Sequence, residues 1–188
     1  MVHTLERNPW RTVSTREVYK NAWIRIREDA VIRPDGKEGI YGVVEARTAV
    51  GVIARTPDNQ IYLVGQYRYP VEEYSWEIIE GGAEHEEDAL NTAKRELHEE
   101  AGLCAERYTQ LGPEVHLSNC FSTERAVFFL AEGLTEVGAA PEGTEVLQLK
   151  KMPLDEVLSL VHTGAIKDAM SILALSRLEY AIRTGKVR

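Results

Sequence analysis

Cysteine is scarce in this chain. Cys104 and Cys120 are the two present, too few for a disulfide framework and without the spacing of metal ligands. That suits a reducing cytoplasm and excludes a small disulfide-stapled scaffold. No run of about 18 apolar residues exists to cross a membrane. The first ten residues lack the apolar core of a signal peptide. The expectation is a cytoplasmic protein with no membrane partner. Basic charge is also in deficit: 22 Lys and Arg stand against 30 Asp and Glu, a formal net charge of −8. Such a balance argues against nucleic acid or an anionic membrane as a partner held by electrostatics. Repeats and low-complexity tracts are absent. The 188 residues suit one domain with a full core, or a domain plus a small extension.

What is present is organised around Gly81 to Leu103. The run from Glu86 to Ala101 reads as a helix, rich in Ala, Leu, Lys, Arg and Glu, without Pro, and ending where Gly102 can turn left-handed. At about 100° per residue, Glu96 and Glu100 share a face and Glu99 borders it. Leu90, Ala93, Leu97 and Ala101 form an adjacent apolar face that can pack on a sheet. Taken alone, three such glutamates read as a solvated acidic face. Held together by a cation, they offer hard oxygen ligands that suit Mg2+ or Mn2+ better than zinc.

Before this helix the chain reads as short strands. Residues 1–12 read as irregular; Ser14 to Tyr19 and Trp23 to Ile32 alternate as strands, with turns at Asn21-Ala22 and Pro34-Asp35-Gly36-Lys37. Ala49 to Ala54 is a buried strand, and Ile61 to Tyr69 reads as its hairpin partner across the Thr56-Pro57-Asp58-Asn59 turn. Val71 to Tyr74 reads as loop, and Ser75 to Gly82 as a short strand whose double Gly permits a sharp bend. After the helix, Cys104 to Leu117 and Ala126 to Leu134 read as strands, and residues 136–145 as a Gly/Pro-rich acidic loop. Pro153 opens a helix that Gly164 stops. Asp168 to Arg183 is a last helix with Met170, Leu173, Ala174, Leu178 and Ala181 inside. The order predicts an α+β fold with helices packed on sheet faces.

The acidic helix also carries a signature. Gly81, Glu87, Arg95, Glu96, Glu99, Glu100 and Gly102, with Leu97 and Leu103 apolar, match the Nudix box at every fixed position. Seven identities at roughly 6 % each give a chance match on the order of 10⁻⁶ in a chain this long. The sequence therefore resembles a Nudix hydrolase. Around the box, Val18-Tyr19, Asp35-Gly36-Lys37, Tyr41 to Glu45, Val64 to Arg68 and Gly164 to Asp168 resemble the ADP-ribose pyrophosphatase branch, in that branch's order.

The resemblance implies an α/β/α sandwich with a mixed sheet, residues 48–188, preceded by a small antiparallel N-terminal sheet, residues 1–47. That sheet would dimerise two copies and contribute substrate contacts. It implies Mg2+, with Mn2+ as a substitute, and hydrolysis of a nucleoside diphosphate sugar to a nucleoside monophosphate and a sugar phosphate. Glu96, Glu99 and Glu100 are the implied metal ligands, with Glu80 adding its backbone carbonyl. Glu87 and Arg95 are implied to be a structural charge pair. Glu99 and Glu100 are also catalytic candidates, and the general base is sought at Glu142 or Glu145, in what otherwise reads as an acidic surface loop. Arg68 is a candidate to clamp a phosphate and Glu77 to hold ribose hydroxyls or water. Glu124 falls where the branch contacts substrate or metal. Trp23, with Tyr19 and Tyr69, is a candidate to stack on a base, with core packing as the alternative.

Two departures widen the implied substrate range. Glu77-Ile78-Ile79-Glu80-Gly81 lacks the branch's Pro-Ala before the box, and Ser118-Asn119-Cys120 lacks its Ser-Pro-Gly. ADP-ribose is the first substrate expected, with ADP-glucose or GDP-mannose also open. Other Nudix substrates (dinucleoside polyphosphates, NADH, coenzyme A) are the alternative enzymes, and a non-catalytic nucleotide-sugar sensor is the alternative of another class.

Overall fold

Residues 7–138 and 146–187 are described by the computed structural model. Glu142 and Glu145 lie outside the described residues. The chain divides into two units, one running up to Arg47 and taking in His116–Glu124, the other made of Thr48–Val115 and the chain from Arg125 onward.

The first unit is an antiparallel sheet of β1 (Arg11–Lys20), β2 (Ile24–Ile32) and β3 (Glu38–Ala46), in that order. β1 begins inside the stretch expected to be irregular. Asn21 sets the first turn, its Oδ1 accepting from the amides of Trp23 and Ile24 at 2.8 Å each. Gly36 sets the second at φ 81°, a left-handed position that favours glycine. Along the edge of β3, Val44 donates to the Phe121 carbonyl at 2.8 Å and accepts from Thr123 N at 2.9 Å. Tyr41 Oη donates to the Cys120 carbonyl at 2.6 Å, which secures the His116–Glu124 segment.

In the second unit the strands are β4 (Ala49–Ala54), β5 (Gln60–Arg68), β6 (Glu73–Glu77), β7 (Ile79–Gly82), β8 (Leu103–Gln110), the two-residue β9 (Val115–His116) at its boundary, β10 (Arg125–Glu136) and β11 (Gln148–Pro153). The helices are α1 (Ala89–Ala101), α2 (Leu154–His162) and α3 (Ala169–Arg183). One sheet runs β7-β4-β10-β8 and a second β11-β5-β6. β4 and β10 are parallel and their other neighbours antiparallel, so the sheet is mixed. The fold is α+β, as expected.

Three local readings are corrected. β5 is not the hairpin partner of β4; their backbones pair only at the Arg55–Ile61 bridge, and the strands enter different sheets. Both edges of β4 are taken, by β7 and β10, and both edges of β5, by β6 and β11. Glu73 to Tyr74, read as loop, belongs to β6, because its polar alternation is that of a strand with one open face. Leu90 and Leu173, placed inside, are more than a third exposed.

The core joins the two sheets through α1. Ala93, Leu97 and Ala101 cluster with Val50, Val52 and Ala54 of β4 and with Tyr62 and Val64 of β5. By strand alternation Gly51 and Ile53 point to the other side of β4, where α3 packs on β4 and β10. Between β6 and β7 the single residue Ile78 carries the chain from one sheet to the other. Its amide leaves the ladders and donates to Ser171 Oγ of α3 at 2.9 Å, both groups buried.

Candidate active site

Asp88 starts α1. Its Oδ1 accepts from the amides of Leu90 and Asn91 at 3.0 Å each, satisfying two of the helix's free donors. The helix therefore begins three residues later than the sequence reading placed it. Gly102 ends it at φ 64°, donating to the His98 carbonyl. Between these caps the spacing of the box turns Glu96 and Glu100 inward, 8 % and 6 % exposed.

What receives them is the strand end of β7. A Cβ built on Gly81 would stand 1.9 Å from Glu96 Oε1, so the Glu96 carboxylate lies directly on the glycine. Glu100 Oε2 accepts from the Glu80 amide at 3.1 Å. Arg95 binds the outer side of the same set. It donates to Glu87 Oε1 and Oε2 at 3.2 and 3.0 Å, to Glu96 Oε1 at 2.7 Å, to Glu99 Oε2 at 2.9 Å and to the Gly82 carbonyl at 3.0 Å. The Arg95 hydrogen bonds hold the Glu87 carboxyl down to about 2, and Glu87 in turn raises the guanidinium. One arginine thus gathers three carboxylates and fixes β7 to α1.

A second group lies at the β6–β7 crossing. Arg68 donates from Nε to both Glu77 oxygens at 3.0 Å, and its Nη2 bonds Glu77 Oε2 as well as Glu80 Oε1, the latter at 2.6 Å. Burial works against the Arg68 charge, but the Glu77 and Glu80 carboxylates outweigh it and raise its pKa. Asp168, the N-cap of α3, accepts from Ser171 N at 2.6 Å. Glu77, Glu80 and Asp168 each bring one carboxylate oxygen within 4.8 Å of the others. Burial, then Asp168 and Glu77, push the Glu80 carboxyl well above the usual carboxylate range, and Arg68 only partly opposes them. Beside this group opens a cleft of about 650 Å³, lined among others by Arg68, Tyr74, Glu77, Lys167 and Asp168.

The structure thus brings Glu96, Glu99, Glu100 and Glu80 to one place, with Arg68 and Glu77 adjoining through Glu80. Trp23 and Glu124 belong to the first unit: Trp23 is 72 % exposed beside the β1–β2 turn, and Glu124 is half-buried, its carboxyl raised by that burial. Asp168 was missed as a site residue. Its position ahead of an apolar helix marks it as a cap, and the cap accounts for only one of its oxygens.

The class this frame defines is an α+β sandwich with a carboxylate-bearing helix wedged against the end of a strand. The chain belongs to the Nudix family: residues 45–173 match the NUDIX domain, and residues 10–44 match the nucleoside diphosphate sugar hydrolase N-terminal domain. Among its relatives is the methanol dehydrogenase activator of Bacillus methanolicus, 32 % identical over 90 % of this chain and 92 % of that one. The ADP-ribose pyrophosphatase of Bacillus subtilis is 30 % identical over the same shares, 90 % and 92 %. That of Mycobacterium tuberculosis is 30 % identical over 93 % of this chain and 84 % of that one. A crystal structure of ADP compounds hydrolase superposes with a TM-score of 0.82 at 20 % identity, covering 95 % of this chain and 97 % of that one, and so shares the fold. The chain is accordingly an enzyme, a Nudix pyrophosphatase of the ADP-ribose pyrophosphatase branch. Nudix enzymes generally use divalent metals. No described helix is long and apolar enough to cross a membrane.

Proposed function

We propose that the chain hydrolyses the pyrophosphate of nucleoside diphosphate sugars with Mg2+, releasing a nucleoside monophosphate and a sugar phosphate. ADP-ribose is the first substrate to expect, and ADP-glucose or GDP-mannose the next. The observation that carries this reading is the docking of α1, which seats Glu96 on Gly81 and Glu100 under the Glu80 amide. The names of two relatives and the match of the first unit support the substrate class.

The donor set fits a hard divalent cation: it is carboxylate oxygen throughout, with no imidazole or thiolate among its members. Glu96, Glu99 and Glu100 would hold Mg2+ or Mn2+, with the Glu80 carbonyl beside them. Such a cation, when bound, offsets pyrophosphate charge and lowers the pKa of a water nucleophile. Arg95 keeps the carboxylates in place by neutralising Glu87 on their outer side. Arg68, already fixed by two carboxylates, would present its remaining N–H donors to a phosphate, and Glu77 would orient it. Glu124 and Trp23 are proposed substrate contacts from the first unit. Glu142 and Glu145 remain the proposed general bases, Glu99 and Glu100 sharing the catalytic role. A homodimer formed through the first unit, in the cytoplasm, completes the reading.

The test is phosphate release, coupled to a phosphatase, from ADP-ribose, ADP-glucose, GDP-mannose, UDP-glucose, NADH, diadenosine polyphosphates and nucleoside triphosphates, with and without Mg2+. Mg2+-dependent turnover confined to the diphosphate sugars supports the reading. Silence on those with activity on triphosphates or polyphosphates overturns the substrate class.

The 32 % identity to a methanol dehydrogenase activator favours a second reading, in which the chain acts on a dehydrogenase. Adding it to purified methanol dehydrogenase and following methanol oxidation separates the two: stimulation without any turnover of diphosphate sugars favours the second.

A further inference from the structure

Glu80 has two faces. Its amide serves α1 through Glu100, while its side chain turns to Glu77 and Asp168. The Glu80 side chain is 9 % exposed, and Glu77's is 3 % exposed. Arg68 satisfies Glu80 Oε1, whereas Oε2 is buried and accepts no hydrogen bond. An orphaned acceptor of this kind is costly unless something fills the space beside it.

The charges tell the same story. Two of the three clustered carboxylates pair with one guanidinium, leaving two negative charges over when all are ionised. A single divalent cation makes the group neutral with Arg68 still in place. All the donors are carboxylate oxygens drawn from three elements, β6, β7 and the cap of α3. That is the donor chemistry of Mg2+ or Mn2+ and not of a soft metal. Asp168 spends Oδ2 on Ser171 N and brings one carboxylate oxygen to the group.

We infer that Glu77, Glu80 and Asp168 form a second divalent-cation site, adjoining the α1 carboxylates and independent of them for its ligands. The site stands even if the chain's substrate is not a nucleotide sugar, because its three ligands are side chains of this chain.

The experiment counts Mn2+ bound per chain, from the loss of the free-Mn2+ EPR signal, in the substrate-free protein. The variants are Asp168→Asn, Glu80→Gln and the double variant Glu96→Gln/Glu100→Gln. Asparagine caps a helix as well as aspartate does, so Asp168→Asn leaves α3 intact. The expected result is one fewer bound Mn2+ in Asp168→Asn and in Glu80→Gln than in the wild type, and one Mn2+ retained in the double variant. A wild-type count in Asp168→Asn, or none bound by the double variant, overturns the site. The double variant keeps the test decisive if Asp168→Asn fails to fold. Loss of all Mn2+ in Asp168→Asn would instead count against metal at the α1 carboxylates, and so against the proposed function, while sparing this site.

Discussion

Gly81 and Glu96 are in contact so close that any side chain at position 81 must displace the Glu96 carboxylate: an added Cβ would lie 1.9 Å from Glu96 Oε1 and 2.0 Å from its Cδ. The glycine that opens the box and the glutamate on its helix are two halves of one joint. Gly81→Ala is expected to push Glu96 off its seat. Misplacing a ligand by an ångström costs on the order of 100-fold in rate. The overpacking costs about 1–3 kcal/mol, a fall of roughly 2–4 °C in melting temperature per kcal/mol for a chain this size. Turnover and a thermal melt check both; unchanged turnover would mean Glu96 is not needed in this position.

Glu100→Gln keeps the volume and removes the charge. Its side-chain oxygen still accepts from the Glu80 amide, so the melting temperature is expected to stay close to wild type. Turnover should fall by more than the roughly 10–100-fold typical of losing a mere supporter of a metal ligand. A folded variant with wild-type turnover would remove Glu100 from the metal set.

Glu87 gives a pH dependence of definite sign. Arg95 lowers its folded-state carboxyl to about 2 from the ordinary 4.5, so its stabilisation is present above 4.5 and is lost as pH falls towards 2. Melting temperatures of wild type and Glu87→Gln should differ at pH 6 and converge by pH 2. A gap that persists at pH 2 would assign Glu87's effect to packing.

Glu80 runs the other way. Its carboxyl is raised in the folded state, so the folded protein holds a proton that the unfolded chain gives up from about 4.5 upward, and stability falls as pH rises. In chelator, Glu80→Gln should therefore melt higher than wild type, with the gap widening from pH 5 to 8. Gln keeps the oxygen that accepts from Arg68 and sheds the charge. A constant gap over that range would show that Glu80 is ionised throughout.

The parts legible in the sequence were those governed by local chemistry. The caps, the apolar edge of Ala93, Leu97 and Ala101, and the inward turn of Glu96 and Glu100 all follow from residue type at helical spacing. The pairing of β5 was not legible, because a Thr-Pro-Asp-Asn turn between apolar strands looks the same whether they share a sheet or part into two. Sheet membership is decided by β10 and β11, far along the chain. The convergence of Asp168 on Glu77 and Glu80 was hidden for the same reason: roughly ninety residues separate them. Trp23 and Glu124 looked equivalent to Arg68 as contact candidates, yet they fall in the other unit.

Ile78 turns this crossing into a built-in gauge. Glu77 ends a strand of one sheet and Glu80 lies in a strand of the other, and the Ile78 amide between the two strands is latched to Ser171, three residues after Asp168. The chain cannot shift at this crossing relative to α3 without stretching that latch. Hydrogen exchange at the Ile78 amide therefore reports the opening of this crossing, with no label added near the chemistry.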